Sequence, residues 1–359
     1  MFRGHPNIAR RWRAVPTRAA VRGAIAMAAV VGLAACGSGG DRSSSAGGKT
    51  PTIAFVSQGT SNSWAAQLDA VARKTAKALG VKLVYFNGEG DATKQLPKIQ
   101  SAIAQRPDAM VLVPLGQAAD TGPVERAMAA GIKVVLCAST VNTQNYTSLV
   151  NPNPETATVP LAQWLATKMH NRGNLLYIGG LPGNFTTTAY DKGFFSVMKQ
   201  NPNIHVVNAG NANYSISTAK QLAATAIASG KKFDGAWGVG GEAVTGLMQA
   251  YVDSRVRPIP PIGGASATNG ILRLATENNI EVSSLQFPPT ISQLCIDTAV
   301  KAVKGQPVPK YINISALPQY ADIFPPLDKY YKPQYSDDLY TGTDTVLSAE
   351  ELKSLNLLK

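Results

Sequence analysis

The chain has 359 residues, 45% of them apolar and 16% charged, which is enough for two lobes with separate cores. Its formal net charge is +12, but six of those charges (Arg3, Arg10, Arg11, Arg13, Arg18 and Arg22) lie in the first 35 residues, where there is no acid. The remaining +6 is spread thinly, with no Lys/Arg block and no aromatic–basic interleaving, so nucleic-acid binding is not expected.

After the basic start, Ala24–Ala35 is an unbroken run of apolar and small residues. A positive region followed by a short apolar one is an export signal, too short to span a membrane comfortably. The run ends Leu33-Ala34-Ala35-Cys36-Gly37, which resembles the lipobox of bacterial lipoproteins. The resemblance implies cleavage before Cys36, lipid on its sulfur, and an extracytoplasmic protein anchored to the cell membrane. The residues flanking Arg10-Arg11 fit a twin-arginine signal poorly, so a plain basic leader is expected. Residues 36–50 are rich in Gly and Ser and read as a flexible tether.

Thr52–Val56 is a short β-branched apolar run, expected as a buried strand. Ser57–Ser63 is a polar loop, and from Trp64 to a stop at Gly80 apolar residues recur at helical spacing. The rhythm continues with a strand at Val81–Phe86, a helix at Ala92–Gln105 capped by Asp91, and a strand at Ala109–Val113. A helix at Gly122–Ala130 and a strand at Ile132–Cys137 follow. Asn151–Pro154 breaks the pattern and marks a crossover. It then restarts, with helices expected at Thr156–Met169, Thr188–Gln200, Ser217–Ser229, Glu242–Val252 and Asn269–Glu277. Pro160 fits the first of these only in its opening turn. The strands between them fall at Leu175–Ile178, Ile204–Val207, Gly235–Val239, Pro261–Gly264 and Ile280–Leu285. Pro288-Pro289 is a second break, before a helix at Thr290–Lys304. From Pro318 the chain reads as extended and loop-like, with a last short helix at Ser348–Leu355 opened by a capping box from Ser348 to Glu351.

Strands alternating with helices in two runs imply an α/β fold of two doubly wound parallel-sheet lobes joined by a hinge. The expected divisions are 51–152 with 288–311 for the N-terminal lobe, 153–287 with 312–330 for the C-terminal lobe, and 331–359 as a tail. Cys137 and Cys295 each lie in an apolar run; two buried free thiols are the expected reading, a disulfide the alternative.

This order resembles the type 1 periplasmic binding proteins, the ribose- and xylose-type solute receptors of ABC importers. The residues that carry the resemblance are TIAFVSQGTSNSW from Thr52, Asp91-x-x-Lys94-Gln95, Pro107-Asp108-Ala109 through Pro114, and Ala130 to Val134. Lys192-Gly-Phe194, Phe233-Asp-Gly235, Gly263 and Leu285-Gln-Phe-Pro288 continue it over roughly residues 51 to 315. It implies a receptor that closes on a ligand between its lobes and docks, as a monomer, on permease subunits. It also implies a ligand set: Ser61, Asn62 and Trp64 from the first loop, Ser139 after the fourth strand, and Asn184, Phe185, Thr188 and Tyr214 from the second lobe. Ser266 follows the strand near Gly263, and Gln286 is the hinge glutamine. Glu242 is a further acceptor, although an acid in a helix's first turn is already favoured by the helix dipole.

The family's charged sugar clamp falls at Ala138-Ser139, Gly240-Gly241 and Ala265-Ser266, so its carboxylates and guanidinium are largely missing. The resemblance therefore points to a neutral sugar, a polyol or a derivative, with a less polar ligand held by Trp64, Phe185 and Tyr214 as the alternative. A sensory receptor for a membrane signalling partner is the other functional reading. Gly238-x-Gly240-x-x-Ala243 fits a loose dinucleotide fingerprint, but its glycines are read as allowing close approach, and no cofactor is expected. The three histidines lack metal-ligand spacing and there is no nucleophile–base signature, so neither a metal nor enzyme activity is expected.

Overall fold

A computed structural model of the chain describes residues 49–60, 62–153 and 156–359. The export signal, the tether, Cys36 and Ser61 lie outside the described residues.

The first half runs β1 (Thr52–Ser57), α1 (Ser63–Ala78), β2 (Lys82–Asn87), α2 (Ala92–Ala104), β3 (Ala109–Leu112), α3 (Thr121–Ala129), β4 (Lys133–Cys137) and β5 (Ser148–Asn151). The second half runs α4 (Val159–Lys168), β6 (Gly173–Gly179), α5 (Phe185–Gln200), β7 (Ile204–Asn211), α6 (Ile216–Ala228), β8 (Gly235–Gly238), α7 (Gly241–Ser254), β9 (Ile262–Ala265), α8 (Asn269–Asn278) and β10 (Val282–Leu285). The chain closes with α9 (Ile291–Val303), β11 (Tyr311–Asn313) and α10 (Ala349–Ser354).

The strands form two parallel sheets, β2-β1-β3-β4-β5-β11 and β7-β6-β8-β9-β10. The first five strands of one and the five of the other follow the same spatial order, so the two lobes repeat one topology. Alternation along β1 shows why the sheet is covered on both faces. Ile53 and Phe55 enter one buried cluster with α1 and α9, while Ala54 and Val56 enter another on the opposite face. The chain passes between sheets after β5, after β10 and after β11, and Ile323 then bridges Ser284 at the edge of the second sheet. The main packing between elements stays within one lobe or the other.

Four details differ from expectation. Cys137 and Cys295 form a disulfide, with Cα atoms 5.9 Å apart, because α9 returns to pack on β4. Strands β5 and β11 were not expected; SLVN and YIN are short and polar-ended, and they are held by pairing with each other and with β4. Because β11 pairs with β5, residues up to Asn313 stay in the first sheet, past the expected crossing at 311. Helix α5 starts at Phe185, three residues before the expected Thr188, because Asn184 caps it by accepting from the Thr187 amide. Pro160 does sit in the opening turn of α4, where its missing N–H costs nothing.

The tail is ordered. Short 3-10 turns and α10 fold it so that Leu339, Leu347, Leu352 and Leu357 bury against Val71 of α1. The capping box of Ser348 and Glu351 is formed.

Candidate ligand-binding cleft

A cavity of about 330 Å³ opens between the carboxyl ends of the two sheets. This is where a doubly wound sheet gathers its strand-to-helix loops, and the volume suits one compact small molecule. Asn62, Trp64 and Ser139 line it from the first lobe; Asn184, Tyr214, Glu242 and Ser266 line it from the second.

Each side chain is positioned by a local device. Asn62 caps α1, its Oδ1 accepting from the Ala65 amide at 2.9 Å. Two residues on, Trp64 donates its indole N–H to the Phe287 carbonyl at 2.8 Å and packs on the Phe287 ring with centroids 5.2 Å apart. The Trp therefore does two jobs: it walls the cleft and ties α1 to the second crossover. Across the gap, the Tyr214 hydroxyl lies 2.7 Å from Thr187 Oγ1 and donates to Asn184 Oδ1 at 3.3 Å, which fixes the ring as a wall. Burial raises the Tyr214 hydroxyl to about 12, so it stays protonated at neutral pH. Glu242 opens α7; burial raises its carboxyl, and its Oε1 accepts from the Tyr340 hydroxyl at 3.1 Å.

Four residues lining the cleft hold the left-handed backbone that L-amino acids avoid: Ala138 (φ 63°), Asn213 (φ 52°), Tyr214 (φ 57°) and Ser266 (φ 64°). Ala138 and Ser266 follow β4 and β9, at matching places in the two lobes. Such conformations cost about 1 kcal/mol or more each and are kept where the surrounding structure uses them. Gly240 sits at φ 97°, and a Cβ there would lie 3.0 Å from the Tyr214 ring. A Cβ on Gly238 would meet the Val244 amide at 2.7 Å, so the glycines of the loose dinucleotide fingerprint serve close packing of chain on chain.

Three expected residues fall elsewhere. Phe185 and Thr188 do not line the cavity: with α5 starting at Phe185, the face turned inward carries Thr186 and Tyr190, one helical turn apart. Thr188 is exposed and donates back to the Asn184 carbonyl. Gln286 accepts from the Thr341 hydroxyl at 2.6 Å and borders a separate cavity of about 160 Å³. In its place Phe287, the next residue along, faces the main cleft.

Sequence reasoning also missed Tyr190 and Tyr340. Tyr190 is 3% exposed, and its hydroxyl has no hydrogen-bond partner among the described residues. Its spacing from Asn184 becomes informative only once the start of α5 is known. Nothing local marks Tyr340, which comes from the tail.

Among the described residues lining the cleft, Glu242 is the one carboxylate and there is no Lys, Arg or His. Among the described residues there is also no cluster of side chains able to hold a metal ion, and no helix long and apolar enough to cross a membrane.

Two like lobes around an aromatic and amide-lined cleft, joined by three crossings, define a hinged ligand-binding protein. The chain belongs to the periplasmic binding protein domain family, whose model matches residues 53–307. It is similar to the xylitol-binding protein of Mycolicibacterium smegmatis, 26% identical over 296 residues, covering 80% of this chain and 81% of the relative. It is also similar to a D-apiose import binding protein of Paraburkholderia graminis, 25% identical over 252 residues, covering 68% and 80%. Among solved structures, an ABC transporter solute-binding protein from Actinobacillus succinogenes with bound D-allose superposes with a TM-score of 0.71 at 17% identity, covering 79% of this chain and all of that one. One from Bacillus halodurans with bound myo-inositol gives 0.69 at 18% identity, covering 78% and 97%. These structural likenesses establish the fold.

Proposed function

We propose that the chain is the substrate-binding component of an ABC importer and takes one neutral, polyhydroxylated small molecule, a sugar, polyol or derivative, in the interlobe cleft. The observation that carries this reading is the cleft itself: aromatic walls and hydroxyl and amide groups, with one carboxylate and no cationic side chain among the described residues. Amides and hydroxyls both donate to and accept from ligand hydroxyls, and flat rings cover the apolar faces of a sugar-like guest. The same lining disfavours sugar acids and sugar phosphates, whose charge would meet no Lys or Arg. Relatives named for xylitol and D-apiose support the ligand class.

In this reading Asn62, Trp64 and Ser139 hold the ligand from the first lobe, and Asn184, Tyr214, Glu242 and Ser266 from the second. Ligand contacts reaching both lobes favour the closed form over the open one. The protein works outside the cytoplasm, tethered by lipid on Cys36, with residues 36–50 as the leash. The leader and the Leu33–Cys36 motif support that anchor, and palmitate labelling that disappears in Cys36→Ala would test it.

The function is tested by calorimetry with xylitol, myo-inositol, D-allose and D-ribose, against gluconate and ribose 5-phosphate. One or more neutral members are expected to bind and to raise the melting temperature by mass action. Binding of only the anionic pair, or of none, contradicts the proposal.

A further inference from the structure

The C-terminal segment lies beyond residues 53–307, and nothing in the family match assigns it a role. Its residues 332–341 are bonded to both lobes. On the side of the first lobe, Gln67 of α1 donates to the Asp338 carbonyl at 2.8 Å and accepts from the Tyr340 amide at 3.1 Å. Ser63 donates to the same carbonyl at 3.0 Å. On the side of the second lobe, Arg273 of α8 grips Asp337 through two nitrogens, at 3.0 and 2.7 Å. Asn269 donates to the Lys332 and Tyr335 carbonyls at 2.9 and 3.0 Å, and Tyr340 forms an antiparallel bridge with Thr268.

Tyr340 is where these attachments meet. Its backbone is tied to α1 on one lobe and to Thr268 on the other, its ring lines the cleft, and its hydroxyl donates to Glu242.

We propose that residues 332–359 are a strap joining the two lobes beside the cleft, and that Tyr340 on this strap is a ligand-contacting, specificity-determining residue that works as a pair with Glu242. The ligand contact rests on the function proposed above; the strap does not.

The geometry gives the pair a definite chemistry. Tyr340 spends its one O–H on Glu242 Oε1, so towards a ligand its oxygen can only accept. Glu242, as a carboxylate, can only accept at Oε2. The pair therefore presents two acceptors side by side and reads a ligand group with hydroxyl protons to give. A deoxygenated or methylated analogue leaves a buried acceptor unpaired, which is a strong form of discrimination between neutral ligands.

The strap also sets how far the lobes part. Moving α1 away from α8 must break either the Gln67 and Ser63 bonds or the Arg273 and Asn269 bonds. Opening is therefore coupled to release of the tail, and a ligand bridging the cleft holds the tail in place.

Two measurements on the full chain test this. In the first, Tyr340→Phe keeps the ring and removes the hydroxyl. Affinity for whichever neutral panel member binds tightest is expected to fall about tenfold or more; the ligand-free melting temperature is expected to fall as well, because Glu242 loses its buried donor, so affinity is read well below the variant's own melting transition. Unchanged affinity overturns the ligand contact.

In the second, hydrogen–deuterium exchange of the ligand-free protein is compared between wild type and Gln67→Ala. A strap predicts faster exchange through 336–347 and also at the start of α8, on the opposite lobe. Faster exchange confined to α1 and residues 338–340 overturns the strap. If no panel member binds the wild type, the importer-receptor reading fails together with the proposed ligand contact, and the exchange experiment still decides the strap.

Discussion

Replacing both Cys137 and Cys295 by alanine tests how the first lobe is held together. The two residues are 158 positions apart and both lie in the first lobe, so the loop they close contains every strand of the second sheet. In the chain-entropy model a loop of this length removes about 17 cal/mol/K from the unfolded state, which is ~5 kcal/mol at 25 °C. Measured disulfides often deliver less, so the expected loss is roughly 2–5 kcal/mol. Both side chains are fully buried, and each alanine adds a small packing loss in the same direction. For about 310 folded residues a loss of about 3 kcal/mol lowers the melting temperature by roughly 4–6 °C. Scanning calorimetry of the oxidised wild type, the reduced wild type and the double variant reads it, and the last two should fall together. A double variant melting within about 1 °C of the oxidised wild type would refute the claim that the bridge restrains the unfolded chain.

Further predictions come from the cleft and its rim. Gly240→Ala places a residue at φ 97° and a methyl 3.0 Å from the Tyr214 ring, so ligand affinity should fall at least tenfold, read by calorimetry. Burial raises the Glu242 carboxyl, so the acceptor form is lost as pH falls through a value above the ordinary glutamate range. Affinity should weaken as the pH is lowered from neutral, beginning above the ordinary glutamate range, in the wild type and stay flat in Glu242→Gln; a parallel pH dependence in both proteins would exclude Glu242 as the source. Asp120 is fully buried, accepts from the Gly116 amide, and is raised by burial to about 6 from 3.8. A raised acid makes the folded state bind the proton first, so it penalises folding above about pH 6, and the penalty fades as pH falls towards 3.8. Two pKa units correspond to about 3 kcal/mol, so urea unfolding should show wild type gaining stability relative to Asp120→Asn from pH 7 to pH 5; no relative gain would contradict this.

The α/β rhythm is legible in the sequence because buried parallel strands are short apolar runs and several helices carry a cap or a stop: Asp91, Gly80 and Ser348 are read directly. What is not legible depends on partners distant in sequence. SLVN and YIN become strands because neighbours complete their hydrogen bonds. The disulfide needs α9 to return to β4 after an entire lobe. Asn62 and Trp64 line the cleft from the loop and helix start that follow β1, and Tyr214 from the loop that follows β7, positions that the strand–helix rhythm places at the carboxyl ends of the sheets. Phe185 and Thr188 fall outside the cavity lining because α5 starts at Phe185 and turns Thr186 and Tyr190 inward, which depends on a helix start that the sequence does not mark. Gln286 borders a second cavity while Phe287, the next residue, lines the cleft, because adjacent residues in an extended crossing point opposite ways. Tyr340 reaches the cleft from a tail whose role only tertiary contacts reveal.

The most direct test of the account is a crystal structure of the protein with the neutral panel member that binds most tightly. The account predicts one molecule between Trp64 and Tyr214, with a hydroxyl donated to Glu242 and contacts from both lobes. Ligand bound outside this cleft, or held by one lobe alone with the lobes apart, would contradict it.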